Sequence, residues 1–108
     1  MEIKTCKLWK SGKTYRAKNT LYLNATIKSG VKSFAPTWSM VKDYKEGKLG
    51  AKAYTKKYRA KMLASQKKRP ELWDKLANYT KIVIGCYCKE GAFCHRRLLA
   101  IMIFEYQS

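Results

Sequence analysis

The stretch "KIVIGCYC", residues 81 to 88, runs β-branched residues together without the polar alternation of a half-solvated strand, which predicts a strand in the middle of a sheet. Five residues later "CHRRLLAIMIFEY" reads as a helix of about three turns with most of its sides apolar. Central strand, short loop and buried helix in that order form the seam of an α/β fold, and everything upstream has to pack around it.

Upstream, "EIKTCKLW" alternates weakly and predicts a first strand, while "SGKTYRAKN" reads as a basic turn or loop. "TLYLNATIKSG" predicts a second strand, with Leu21, Leu23, Ala25 and Ile27 on one face and Tyr22, Asn24 and Thr26 on the other; Ser29 and Gly30 end it. Pro36 can start a short helix that Gly47 or Gly50 closes, with Trp38, Val41 and Tyr44 packed inward. In "AKAYTKKYRAKMLASQKK" strong helix formers place Ala51, Tyr54, Tyr58 and Met62 near one face. Pro70 begins another helix, "PELWDKLANY", whose apolar stripe is Leu72, Trp73, Leu76 and Tyr79, with Glu71 and Asp74 at its positive end. These elements predict a compact single-domain α/β sandwich over residues 1–108, with a small, mainly parallel or mixed sheet and flanking helices. A chain of 108 residues that is 46% apolar supplies one core and not two.

Twenty-four Lys and Arg against seven Asp and Glu leave a formal net charge of +17, which attracts polyanions. From Gly47 to Pro70 there are nine basic residues and no acidic one. The expected partner is therefore DNA or RNA, its phosphates met by Lys52, Lys56, Lys57, Arg59, Lys61, Lys67, Lys68 and Arg69. Tyr54, Tyr58 or Trp38 could stack on exposed bases if they face outward, although the helical spacing of the tyrosines favours the core. An acidic host protein is the competing partner for the same lysines, whereas tyrosine and alanine make a poor membrane-insertion face. No run of eighteen apolar residues exists, and "MEIKTCKLWK" lacks an apolar signal segment. The expectation is a soluble, cytoplasmic chain without a membrane partner.

Cysteines stand at 6, 86, 88 and 94, and in such a chain they read as reduced thiols or metal ligands before disulfides. The segment "GCYCKEGAFCHRRLLA" is open to four readings. As an anion cradle, Lys89, Gly91, Arg96 and Arg97 would hold a phosphate or nucleotide at the start of the final helix. As a thiol site, Cys94 or Cys88 would be the nucleophile, His95 a proton donor or acceptor and Arg96 the anion partner. As a zinc site, Cys86, Cys88, Cys94 and His95 have suitable atoms but unsuitable spacing, and Cys6 could join only if the first strand lay beside the central one. As structure alone, the segment is a tight turn with buried thiols. The spacing disfavours zinc, so no metal is expected, and no cofactor. At the first turn of a helix, His95 should stay neutral and donate one hydrogen bond.

The string "IVIGCYCKEGAFCHRRLLA" resembles the signature near the end of the domain of unknown function 488 (DUF488) family, in which a hydrophobic strand leads to a cysteine, a short loop and a Cys-His-Arg helix start. The match falls on Cys86, Cys94, His95 and Arg96. "FAPTWSMVKDYKEGKLG", "AYTKKY" and "KRPELWDKL" also look like the family's short basic forms, so that the resemblance covers roughly residues 20 to 104. It implies a compact α/β fold in which the Cys-His-Arg end lies beside the loop around Phe34, Pro36 and Trp38. It also implies kinship with small accessory proteins of bacteriophages or bacteria, and it carries no reaction class.

Three functions follow. The first is a basic nucleic-acid-binding accessory protein, of the phage-encoded type that the resemblance implies, which contacts phosphates through its Lys/Arg-rich helix. The alternatives are a small nucleotide- or nucleic-acid-modifying enzyme using the Cys-His-Arg loop, for which one histidine and few carboxylates are sparse machinery, or a host-protein-binding modulator.

Overall fold

The chain's computed structural model describes residues 2–26, 30–86 and 95–108. Its strands are β1 (Glu2–Lys7), β2 (Tyr15–Ala17), β3 (Thr20–Asn24) and β4 (Lys81–Cys86), and its helices are α1 (Trp38–Lys45), α2 (Ala51–Lys68), α3 (Pro70–Lys75) and α4 (His95–Gln107). The sheet runs in the order β1-β4-β3-β2, with β1 and β3 parallel to β4 and β2 antiparallel to β3. The mixed sheet with flanking helices is the expected α/β architecture, and the β-branched run is its central strand.

Register decides which side chains meet the helices. Leu21 and Leu23 of β3 stand opposite Ile82 and Ile84 of β4, and Ile3 of β1 is also level with Ile82. Together they form the floor of one apolar cluster, on which Tyr54, Tyr58 and Met62 of α2, Trp73 of α3 and Leu99, Met102 and Ile103 of α4 all pack. Ile82, Ile84, Tyr58, Met62 and Trp73 are fully enclosed there; each such side chain contributes about 1.5–3 kcal/mol by leaving water.

On the other face, Val83 is only partly covered and Gly85 lies beneath Trp9, so among the described residues helices cover β4 on one side and the loop carrying Trp9 meets it on the other. The "SGKTYRAKN" segment also differs from its reading: it contains β2, joined to β3 by a two-residue turn between the paired Ala17 and Thr20. Lys18 in that turn holds a φ of 56°, the left-handed region that glycine occupies most readily, at a cost of about 1 kcal/mol.

In α1 the Thr37 hydroxyl accepts the Met40 N–H at 3.2 Å and sets the phase of the helix. Met40 is thereby buried and Tyr44 packs edge-on to Tyr54, while Trp38, expected inside, is 59% exposed. Gly47, with a φ of 76°, ends this helix. In α3, Pro70 occupies the first turn and Glu71 faces the helix's positive end, as the sequence indicated. Among the described residues, no helix is long and apolar enough to cross a membrane.

Candidate functional site

Three parallel strands, β1, β3 and β4, finish at the same edge of the sheet, where open α/β folds form their ligand crevices. Asn24, fully buried at that edge, ties the neighbouring loops together. Its backbone N–H donates to Thr14 Oγ1 at 2.9 Å, its amide nitrogen to the Gly12 carbonyl at 2.5 Å, and its Oδ1 accepts the Thr26 N–H at 2.9 Å. The Trp9 indole N–H donates to the Lys13 carbonyl at 2.9 Å and closes the 8–14 loop on itself. A cleft of about 690 Å³ opens there, lined by Trp9, Lys10, Lys13 and Thr14 on one side and by Gly30 and Val31 on the other. Gly30 is required by close approach, because a Cβ there would overlap backbone atoms of Asn24 and Thr26.

His95, the first residue of α4, enters this edge from the helix layer. Its Nε2 lies 2.6 Å from the Ala25 carbonyl, and since a carbonyl only accepts, Nε2 carries the proton. The ring is buried at 5.7 Å from the Tyr58 ring, and the Tyr58 hydroxyl donates to the Phe34 carbonyl at 2.6 Å. The loop around Phe34 therefore does lie beside the His-Arg helix start. Burial pushes the His95 pKa down to about 4; the Ala25 hydrogen bond opposes the shift, and the charges of Arg96 and Lys61 add to it. The imidazole is neutral at physiological pH and holds the β3 exit in place.

Arg96 is completely enclosed. Its Nη1 donates to the Cys6 carbonyl at 3.0 Å and sits 3.7 Å from Cys86 Sγ. Arg97, one residue on, is exposed, so the two arginines serve different sides of α4. Cys6 and Cys86 are thiols, and β1 does lie beside β4. Cys6 is level with Gly85 rather than Cys86, which turns the two thiols to opposite faces of the sheet. Among the described residues, no three metal-ligating side chains gather. Cys88, Lys89, Gly91 and Cys94 lie outside the described residues.

The basic residues of α2 and Arg69 at its C-cap divide into two groups. Lys61 donates to the carbonyls of Ala35 and Lys32, and burial lowers its pKa. Arg59 pairs with Glu105 at 3.1 Å, and Arg69 with Glu71 at 2.6 Å. Lys52, Lys56, Lys57, Lys67 and Lys68 are exposed and make no ion pair among the described residues. At about 100° per residue, Lys52, Lys56 and Lys67 fall within roughly 60° of arc opposite Tyr58, along a line about 22 Å long. Tyr54 and Tyr58 face the core and present no ring to a base; of the three aromatics considered for stacking, Trp38 alone is exposed.

Reading by segment missed Tyr58 as the ring against His95 and Asn24 as the knot of the edge. The only signal for Asn24 was an amide in the last position of an apolar strand.

A family model described as the active DUF488-N3 subclade, DUF488-N3a, matches residues 1–107. No curated protein and no solved structure matches the chain.

Proposed function

We propose that this chain, which belongs to the DUF488-N3a family, binds nucleic acid by laying the outer face of α2 along a phosphate backbone. The observation that carries the reading is the set of five exposed α2 lysines without ion-pair partners among the described residues, on a helix whose opposite face is held by the core. Lys52 and Lys56, like Lys57 and Lys61, stand four residues apart, a like-charge spacing that weakens a helix by a few tenths of a kcal/mol. An acidic polymer removes that repulsion when it binds. The protein acts in this reading as a cytoplasmic accessory factor of phage or bacterial type, and its binding is largely indifferent to sequence, since phosphate contacts position without specifying.

Five lysines that each neutralise one phosphate give a slope of log affinity against log salt near −4.5 on duplex DNA, and a dissociation constant on the order of 10⁻⁵ M at 0.1 M salt. A titration of duplex DNA across 50 to 200 mM salt checks this, with an expected fall of roughly 500-fold. A slope shallower than about −1, or no binding at the lowest salt, removes the reading.

The second reading, a nucleotide- or nucleic-acid-modifying enzyme, draws on the arrival of His95 and Arg96 at the carboxyl edge of the parallel strands and on the family's description as active. Cys94→Ser separates the two. Under phosphate binding by α2 it leaves duplex affinity unchanged and there is no turnover to lose; under the enzyme reading, turnover of a nucleotide or polynucleotide by the parent protein disappears in the variant while its thermal melt is preserved.

A further inference from the structure

The helices pack on one face of the sheet, and among the described residues only the 8–14 loop covers the other. Register places Lys4, Val83, Tyr22 and Tyr15 in one row across that second face, from β1 to β2. At its β2 end the row is aromatic. The rings of Tyr15 and Tyr22 lie 4.5 Å apart and within 6° of parallel, and Trp9 meets both edge-on at 6.0 and 5.7 Å. Trp9 reaches this place because Gly85 has no side chain: a Cβ there would come within 2.6 Å of the indole. Tyr15 remains 43% exposed on the outer edge of the cluster.

Charge surrounds these rings with one sign. Between Glu2 and Asp43 the sequence has no acidic residue, and Lys7, Lys10, Lys13 and Arg16 recur at every third position, followed by Lys18. At one end of β2, Lys10 and Lys13 line the cleft next to Trp9. Arg16, level with the core-facing Leu21, turns instead to the helix side of the sheet, where it lines a second cavity of about 320 Å³ with Lys18, Asn19, Lys75, Asn78 and Tyr79. Glu2, the acid at the β1 edge, is bracketed by Lys4 and Lys81 at 3.5 and 3.9 Å.

We propose that this face is a stacking platform for a short single-stranded nucleic acid, with a base on the ring of Tyr15 and the adjoining phosphates held by Lys10 and Lys13. Charge complementarity selects an acidic polymer, and the aromatic cluster selects one with exposed planar faces, which base pairing hides in a duplex. The inference shares with the α2 reading only the class of ligand. The platform lies across the sheet from α2, so each surface can fail without the other.

The full chain is titrated at fixed salt with an oligothymidylate of about twelve residues, with an abasic deoxyribose-phosphate strand of equal length, and with polyglutamate. The thymidylate is expected to bind roughly 5- to 150-fold more tightly than the abasic strand. Tyr15→Val, which keeps a strand-forming residue at an exposed position but removes the ring, is expected to erase that difference while leaving the abasic affinity and the thermal melt in place. Equal affinity for the two strands, polyglutamate binding as tight as the thymidylate, or a base preference that survives Tyr15→Val overturns the platform. Equal affinities with a steep salt slope overturn it while sustaining the α2 reading; a base preference unaffected by neutralising α2 sustains it while overturning that reading. Failure of every strand to bind overturns both.

Discussion

Replacing Lys52, Lys56 and Lys67 together with glutamine is expected to weaken duplex binding roughly 500-fold at 0.1 M salt, counting each lost phosphate contact as about 8-fold of counterion release. Starting from a dissociation constant on the order of 10⁻⁵ M, the complex then falls below detection, and in lower salt, where it can still be followed, the log-log slope becomes shallower by about 2.7. These three lysines are the informative set because they share the face opposite the buried Tyr58 and none of them holds the fold. Arg59 and Lys61 would confuse the result: the first is paired with Glu105, and the second secures the carbonyls of Lys32 and Ala35. Stability supplies the internal control. Removing the Lys52–Lys56 repulsion should hold the urea midpoint level or raise it slightly, since a like-charge pair at that spacing costs a few tenths of a kcal/mol. Affinity that falls while stability does not is the signature of lysines placed for a ligand. Unchanged affinity in the triple variant would transfer the polyanion site to another face of the molecule.

The elements that announced themselves in the sequence are those with long, one-sided burial. The central strand, the Tyr54–Tyr58–Met62 stripe of α2 and the apolar α4 all repeat a burial period over several residues, and periodicity is what a single sequence transmits best. β2 was illegible because all three of its residues are exposed, so no period exists to be read; only pairing with β3 makes it a strand. Trp38 was misplaced because three-residue spacing from Val41 and Tyr44 did not reveal the phase that Thr37 sets as the cap. At the site, the neutral state of His95 followed from its position at a helix start, but the Ala25 carbonyl that holds it is seventy residues away. That Arg96 rather than Arg97 is the enclosed one of the pair was not legible, because arginine is seldom fully enclosed and the two stand side by side in the sequence. The Cys6 carbonyl that partners Arg96 comes from β1, a pairing between chain ends that no local pattern encodes. The aromatic-basic run from Trp9 to Lys18 was visible as residues but not as a surface, since register alone gathers Trp9, Tyr15 and Tyr22 into one cluster.

Acid should destabilise the protein through His95, and His95→Gln should remove that sensitivity. In the folded chain the imidazole pKa lies at about 4, against an ordinary value of 6.5, chiefly because burial opposes the charged form. The groups around it reinforce the direction: Arg96 on α4 and Lys61 on α2 are cations and Tyr58 offers a neutral ring, while the hydrogen bond to the Ala25 carbonyl favours the proton. Between those two pH values the unfolded chain binds a proton that the folded chain refuses, so stability is fully present above about pH 6.5 and is lost as the pH falls toward 4. The loss is about 2 kcal/mol at pH 5 and approaches about 3 kcal/mol at pH 4. A window from about pH 5 to 7 isolates this group, because ordinary carboxylates titrate below it and lysines above it. Glutamine can offer its amide N–H to the Ala25 carbonyl without titrating. The His95→Gln variant should therefore lose some stability at pH 7, on the order of 1 kcal/mol from poorer packing against Tyr58, yet show a flat urea midpoint across the window. An acid slope as steep in the variant as in the parent would mean that His95 is already charged or exposed in the fold. The carbonyl lock on the β3 exit would then be the wrong account of this edge.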